Sequence, residues 1–434
     1  MLTIQNNIIV FQTLERYLKT TEELLVDFAI QKNRLFPLKA LFQVLGTNTP
    51  DGKTPSGIRS KTQPSGFGWY PPLAVIFKVD DPRPYRILQS HYRGISTAKA
   101  KLQVAYFALL KKGWLKEILI PAYVLIRPKA GDRKKIVKTL GGMVFGGSGS
   151  KVKIFKFNEG KVVNLLKTGY DDCFLLKEIT VRRNFQDVVP IPKLLDSNWE
   201  AKLFEEEYIP ATPLRELNMQ TWPLLRDLFE KLFGYYRQNK IVSISVDEYQ
   251  NLLLREIKEK TSSLPLVTQK TLSEFVSRLN ENWIHDPKAE IILVQGHGDF
   301  WLGNILRKEN DKRLLIVDWE RSAQYSLMYD LFTLFSIHSM EQRNLELIKS
   351  VLALGTNCLP LKDILRKYQE QFSFSYDRSW VKLQLRIFLM EKISSSLRLF
   401  QNAPFTGREA QDEMAKWNTF LSAILKNRML TDSF

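Results

Sequence analysis

His297-Gly298-Asp299-Phe300-Trp301-Leu302-Gly303-Asn304, followed by Ile316-Val317-Asp318-Trp319-Glu320, is the stretch that decides how the chain reads. It has the form HGDxxxxN, then room for a short β-hairpin, then an apolar strand that ends in aspartate. Phosphoryl transfer needs positioned groups and neutralised charge more than covalent chemistry. An aspartate beside the attacking hydroxyl orients it and accepts its proton. An asparagine five residues on supplies a hard oxygen to magnesium, and a second aspartate after the next strand holds magnesium against nucleotide phosphates. Asp299, Asn304 and Asp318 have these identities in this order. The interval from Asn304 to Asp318 fits Ile305-Leu306, a polar turn through Asn310-Asp311, and a return strand Leu314 to Val317. An HGD triplet alone is an ordinary loop; with apolar strands where the fold needs them, the pattern is specific.

Upstream, Gly141 to Lys167 has β character. Met143-Val144-Phe145 is a short apolar run, Lys151 to Phe157 reads as a strand, Asn158-Glu159-Gly160 as a hairpin turn, and Lys161 to Lys167 as the return strand. Asp171 to Phe185 reads as a helix with Asp171 or Asp172 near its N-cap. Val188 to Leu195 and Ala201 to Tyr208 are further strand candidates. Beyond Pro210 the pattern is mostly helical, interrupted by short strands around Ile291 to Val294 and Leu314 to Val317. This order predicts an α+β chain, with a small sheet lobe followed by a larger helical lobe.

With these residues in place, the segment resembles the aminoglycoside phosphotransferase and choline kinase group, which shares the protein-kinase fold. Trp319-Glu320 after Asp318, and Tyr329-Asp330-Leu331 beyond, look like that group's usual continuation. The likeness covers roughly Gly141 to the C-terminus. It implies a bilobal protein-kinase-like fold: an N-terminal extension over 1–138, a small antiparallel N-lobe over 139–209, and a helical C-lobe over 210–434. It also implies ATP and magnesium as cofactors, Asp299 as the catalytic residue, and Asn304 and Asp318 as magnesium ligands.

The same resemblance assigns roles in the N-lobe. Gly146 to Ser150 lies between the first two strands, where the backbone of Gly147, Ser148 and Gly149 would cover nucleotide phosphates. The run lacks a full GxGxxG, and a plain flexible turn fits it equally. Lys167, on the same face as Val163 and Leu165, suits the lysine that contacts the α/β-phosphates; Lys153, Lys156 and Lys161 are rivals. Glu178 suits the acid that orients this lysine, with an exposed helix glutamate as the alternative. Glu207-Tyr208-Ile209-Pro210 resembles the hinge, whose backbone at Glu207 and Ile209 would meet adenine; an ordinary strand end before a proline is the other reading. His297 looks like a brace for the loop, and Asp330 like the buried aspartate that supports it. Glu320 either meets magnesium through water or caps a turn. Trp301 and Trp319 read as packing residues.

The rest of the chain sets limits. Its 434 residues exceed one ordinary domain, and 44% hydrophobic content supplies packed cores. Two cysteines and four histidines disfavour a disulfide framework or a structural zinc site, and fit a reducing cytoplasm. No signal peptide is visible, and the longest apolar stretch near the middle, Ile118 to Ile126, falls short of the ~20 residues a spanning helix needs. Phe11 to Ile30 has helical spacing, Thr47 to Pro72 is a Pro/Gly/Ser-rich loop, and Leu73 to Val79 reads as a strand. Thr97 to Leu119 is a basic amphipathic helical stretch broken near Gly113.

The net charge of +17 is concentrated: Arg83 to Lys156 holds 17 Lys/Arg against Glu117 and Asp132. Such a block attracts anionic surfaces. With Tyr106, Phe107, Leu109, Leu110 and Trp114 beside its lysines, the region suits peripheral contact with an anionic membrane, or else packs its apolar face on the N-lobe. Nucleic acid is disfavoured, because no base-reading motif accompanies the charge. The sequence thus reads as a small-molecule kinase phosphorylating a hydroxyl of a sugar or amino alcohol. The rivals are a catalytically weak kinase-like protein that docks on a membrane or nucleic acid, and a protein kinase. The lack of a recognisable activation segment between Asp318 and Tyr329 favours a small acceptor.

Overall fold

Alternating apolar residues at Tyr70, Val75, Phe77 and Met143 face one core, and the strands that carry them share a sheet. The computed structural model describes residues 67–70, 75–92, 98–110, 125–126, 141–146, 149–214, 217–262, 264, 266–280, 289–342, 345–353, 358–372, 377–401, 415–420 and 422–423. The expected helix Phe11 to Ile30, the break near Gly113, Gly147 and Ser148 lie outside them. Two units emerge: one runs to Leu175 and includes Pro192–Thr212, and the other comprises Leu176–Ile191 and everything from Pro213 onward.

In the first unit β1 (Phe67–Tyr70), β2 (Val75–Lys78), β3 (Leu125–Ile126), β4 (Met143–Phe145), β5 (Lys151–Lys156), β6 (Lys161–Leu166), β7 (Leu194–Asn198) and β8 (Leu203–Glu207) form one sheet in the order β3-β1-β2-β4-β5-β6-β8-β7. The pairings between these neighbours are antiparallel. The β5–β6 hairpin pairs Ile154 with Val163, and Gly160 closes its turn at φ +65°, a left-handed conformation that glycine adopts without penalty. β6 is buried almost throughout. Its one buried polar member, Asn164, is satisfied by donating to Glu206 Oε1 at 3.0 Å across the sheet.

Helices α1 (Pro82–Tyr92) and α2 (Ala98–Leu110) belong to this unit. Asp81 starts α1 by accepting the Arg83 N–H at 2.9 Å. Tyr85, Leu88 and Phe107 then enter the core, with Phe77–Tyr85 and Tyr70–Phe107 ring centroids 5.4 and 5.2 Å apart. The described part of the basic region thus buries some of its apolar residues against the sheet, although Leu102 is 70% exposed. Lys111, Lys112, Trp114 and Lys116 lie outside the described residues. Among the described residues no helix is long and apolar enough to cross a membrane.

Two expectations shift. β1 falls inside the stretch read as the Thr47 to Pro72 loop, and β1–β3 share a sheet with β4–β8 although they lie in the part read as a separate extension. β2 lies within the strand expected at Leu73 to Val79, whereas β1 and β3 are only four and two residues long and local composition hides them. The strand expected at Val188 to Leu195 is displaced to β7. Pro190 and Pro192 cannot donate to a ladder, and Val189 and Ile191 are buried in the core of the second unit instead.

In the second unit, α4 (Trp222–Gln238) buries Leu225, Leu228, Phe229, Leu232, Phe233, Tyr235 and Tyr236, the stripe a helix of period 3.6 presents to one side. α5 (Val246–Thr261) is capped by Ser245, whose hydroxyl accepts the Glu248 N–H, and carries Asp247 and Glu248 in its first turn, where the helix dipole favours acids. α6 (Leu266–Asn280), α7 (Tyr329–Gln342), α8 (Glu346–Leu352), α9 (Leu359–Phe372) and α10 (Arg378–Gln401) complete the helical mass. The boundary between the units falls within β9 (Ala211–Pro213), and among the helices lie β10 (Val242–Ser245), β11 (Glu290–Gly296), the hairpin β12 (Ile305–Lys308) and β13 (Leu314–Ile316), and β14 (Ala323–Ser326). β11 lies between β10 and β14, antiparallel to both. The antiparallel sheet followed by a helical region is the expected fold class.

Candidate active site

The site grows from the end of β11. The strand delivers His297 into the interior, fully buried. Gly298 has φ +83°, and a Cβ there would stand 2.2 Å from the Arg321 carbonyl oxygen, so both the backbone conformation and the close approach demand glycine. The carboxylate of Asp330, in the first turn of α7, accepts the His297 N–H at 2.7 Å, the Gly298 N–H at 3.0 Å and the Tyr236 hydroxyl at 2.8 Å. Three donors on one buried carboxylate fix the loop entrance.

His297 uses both ring nitrogens in structure. Nε2 lies 2.9 Å from the Val317 carbonyl, which can only accept, and Nδ1 accepts the Asp299 N–H at 3.2 Å. This pattern fits the tautomer protonated at Nε2. The ring packs edge-on to Trp319, centroids 4.6 Å apart, and Trp319 is wholly buried with Tyr235 on it.

After Phe300 and Trp301 the chain makes a single 3-10 turn, Leu302–Asn304. The Trp301 indole folds closely over Gly303, where a Cβ would meet it at 2.2 Å unless the ring moved. The turn brings Asn304 back onto Asp299: its amide nitrogen donates to the Asp299 carbonyl at 2.9 Å and to Oδ2 at 3.1 Å. With the nitrogen so engaged, the amide oxygen is the atom left to meet a cation. The Val317 N–H donates to the Asn304 carbonyl at 3.0 Å, tying the return strand to the loop. Asp318 follows with φ +64° and ψ +59°, a left-handed conformation rare for any residue but glycine and costing on the order of 1–3 kcal/mol. Such strain concentrates where a side chain must be aimed.

Arg321 is the member sequence reasoning missed. Its Nη1 lies 3.5 Å from Asp299 Oδ1. Burial pushes the Asp299 carboxyl up, but the charges of Arg321 and Lys392 outweigh it and hold the group below the ordinary carboxylate range. Nothing in the sequence pattern marks either cation, because their proximity to Asp299 arises from the fold. Glu320 is buried at 8% exposure within the short 3-10 turn after Asp318.

Asp299, Asn304 and Asp318 all lie in the second unit, linked by the bonds above. Glu178 is in this unit as well, on α3 (Cys173–Phe185), within which the boundary between the units falls. It is not an exposed helix glutamate: it is fully buried and ion-paired with Arg182, itself buried.

The remaining candidates belong to the first unit. Lys167 is 1% exposed just beyond β6, its N–H bonded to the Ser150 carbonyl at 2.8 Å. Its rival Lys161 is engaged at the surface by Glu205 and Glu159, at 2.8 and 3.2 Å. Gly149 is exposed. The Glu207 N–H donates to the Lys193 carbonyl at 2.9 Å, so only its carbonyl is left for a nucleotide; Ile209 is half-buried beyond the strand.

Among the described residues, no cluster of three His, Cys, Asp or Glu side chains forms a metal cage. The donors that would hold magnesium, the Asp318 carboxylate and the Asn304 amide oxygen, are hard oxygens, the kind that ion takes.

Residues 224–352 match the model of the Ecdysteroid kinase-like family, and this segment contains Asp299, Asn304 and Asp318. No curated protein matches. Similar solved structures include a choline/ethanolamine kinase family protein from Mesorhizobium loti (15% identity over 66% of this chain and 90% of that one, TM-score 0.39). The choline kinase LicA from Streptococcus pneumoniae is similar at 15% identity over 66% and 97%, TM-score 0.39. The macrolide 2'-phosphotransferase MphH from Brachybacterium faecium is similar at 10% identity over 62% and 87%, TM-score 0.39. The expected likeness to small-molecule kinases is met by the family match over the segment that carries the motif.

Proposed function

We propose that the chain is an ATP- and magnesium-dependent phosphotransferase that acts on a hydroxyl of a small molecule. The observation that carries this reading is the bonding of Asn304 to both the backbone and the carboxylate of Asp299, with the left-handed backbone of Asp318 following the strand tied to Asn304. Asp299 orients the acceptor hydroxyl and takes its proton; the neighbouring cations keep it ionised and able to accept. Asn304 and Asp318 would hold magnesium, which when bound supplies charge neutralisation for the nucleotide phosphates. Lys167 would serve those phosphates, oriented by Glu178, and the Gly147–Gly149 turn and the Glu207–Ile209 backbone would take the rest of the nucleotide. Asp330 and His297 position the loop and touch no reacting atom. A cytoplasmic setting, where ATP is available, accords with this role.

The test is an ATP-consumption assay with magnesium across sugars, hydroxy acids, amino alcohols and aminoglycosides, run beside a thermal-shift assay for Mg-ATP. Acceptor-stimulated turnover that disappears in Asp299→Asn is the expected result. Stimulated turnover retained at full rate by that variant overturns the assignment.

A further inference from the structure

Arg83, at the start of α1, links the basic region to the strand end whose backbone would meet adenine. Its place is fixed from two directions. The buried Asp81 carboxylate accepts the Arg83 backbone N–H and Nε–H at 2.9 Å and Nη2–H at 2.7 Å, so the guanidinium fork is bidentate on one acid. The Tyr85 hydroxyl donates to the Val79 carbonyl at 2.9 Å and pins the turn that carries Asp81. Nη2 also donates to Asn158 Oδ1 at 2.9 Å, 75 residues on, in the turn that joins β5 to β6. The guanidinium carbon then lies 4.7 Å from the centre of the Phe157 ring, within cation–π range.

Phe157 passes this placement to Tyr208. It is buried, and a Cβ on Gly142 would stand 2.3 Å from its ring, so the backbone ahead of β4 walls it on that side. Tyr208 meets Phe157 edge-on, with centroids 5.0 Å apart and planes at 74°, and Phe155 lies 5.7 Å from Phe157 and 6.2 Å from Tyr208. The Tyr208 N–H donates to the Gly160 carbonyl at 2.8 Å. The same hairpin turn thus holds residue 208 by its main chain and by its ring. Glu207 and Ile209 flank it in the chain.

We propose that Arg83 is a positioning residue for the adenine contact: through Phe157 it holds the Tyr208 ring, and with it the backbone of Glu207 and Ile209, in the conformation that receives the base. The inference rests on the nucleotide role proposed above for those two residues. A backbone already held in its bound conformation loses less freedom when the base arrives, and binds it more tightly for that reason. The segment ahead of β4 thereby contributes to nucleotide binding without touching the nucleotide.

Isothermal titration of the full chain with Mg-ATP and with Mg-tripolyphosphate tests this, because tripolyphosphate carries the phosphates and lacks the base. Arg83→Gln should weaken Mg-ATP binding about three- to fivefold, the scale of a partly exposed cation–ring contact, and leave Mg-tripolyphosphate binding unchanged. Arg83→Lys keeps a cation for the ring and loses the fork, and should restore part of the loss. Phe157→Leu should weaken Mg-ATP binding at least as much, and the double variant Arg83→Gln/Phe157→Leu should bind no more weakly than Phe157→Leu, since Arg83 acts through that ring. An arginine that only stabilises the fold would lower the Tm of Arg83→Gln and leave both dissociation constants as they are, and that result overturns the inference. Equal weakening of the two ligands overturns it, as does an additive double variant. If Arg83→Gln fails to fold, Asn158→Ala decides, a change at an exposed turn that releases the guanidinium from the hairpin. Weaker Mg-ATP binding alone supports the inference there, and unchanged Mg-ATP binding removes it. A wild type that binds Mg-tripolyphosphate as tightly as Mg-ATP removes the adenine role of Glu207 and Ile209 and this inference with it, and a wild type that binds neither removes the phosphotransferase reading too. Base-dependent binding that Arg83→Gln leaves intact removes this inference alone.

Discussion

Asp330 accepts the backbone N–H of His297 at 2.7 Å with the same carboxylate that takes the Gly298 N–H at 3.0 Å, so one side chain on α7 sets the start of the loop on which Asp299 sits. Asp330→Ala would strand two buried N–H groups and the Tyr236 hydroxyl, each costing on the order of 1–3 kcal/mol. Urea denaturation should show a loss of several kcal/mol in total, with Asp330→Asn intermediate because it keeps one acceptor oxygen. Unchanged stability in Asp330→Ala would contradict the bonding described.

Asp299 and Asp318 should fail in different ways. Asp299→Asn is expected to lose turnover by at least a hundredfold, the scale of general-base catalysis, while thermal shift by Mg-ATP persists. Asp318→Asn should lose the magnesium-dependent part of nucleotide binding as well. Identical behaviour of the two variants in the binding assay would refute the division of labour.

Gly298→Ala tests the close approach. A Cβ 2.2 Å from a backbone oxygen at φ +83° leaves no flexible side chain to yield. A destabilisation of several kcal/mol, or failure to fold, is expected on thermal denaturation. A well-folded, fully stable Gly298→Ala protein is the outcome this geometry forbids.

Glu391 gives a pH signature. Burial pushes its carboxyl up to about 7, against the bonds from Ser326 and Tyr249 that favour the ionised form. An unfolded glutamate titrates near ~4.3. The native state therefore holds the extra proton between about pH 4 and 7, and stability falls as pH rises through that window, by at most about 1.4 kcal/mol per unit. The stability of wild type relative to Glu391→Gln should decline from pH 5 to pH 7. A constant difference between the two proteins across that range would show that Glu391 does not titrate there.

The basic region makes a separate prediction. If it serves an anionic membrane, the protein should co-sediment with phosphatidylserine vesicles but not neutral ones, and Lys111/Lys112/Lys116→Glu or high salt should release it. No binding at low salt would leave its apolar residues to packing alone, the role that Tyr85, Leu88 and Phe107 already perform.

The loop and its hairpin were legible because identity and spacing both speak there. Asp299, Asn304 and Asp318 are fixed in type by their chemistry, and Ile305 to Ile316 by alternation and a polar turn. The β5–β6 hairpin was legible for the same local reason. β1 and β3 were not, because strands of four and two residues carry little pattern of their own, and their mutual pairing joins segments far apart in the chain. Val188 to Leu195 misled because its apolar residues serve a core rather than a sheet. Arg321 and Lys392 stand 71 positions apart, and both act on Asp299 only because the fold brings them near it, which no motif records.

The course of the chain between Leu176 and Ile191 bears on how the protein can be dissected. Val181, Val189 and Ile191 sit in the core that α4 and α7 share, Phe185 packs on Tyr235 at 4.8 Å, and the Pro190 carbonyl accepts the Ile316 N–H at 2.8 Å, on the strand that leads to Asp318. A fragment begun near residue 210, ahead of the run of helices from α4 onward, would expose those slots and release that strand. Expression of the catalytic half by itself should therefore begin ahead of α3, near Asp171, or supply that helix as a separate peptide.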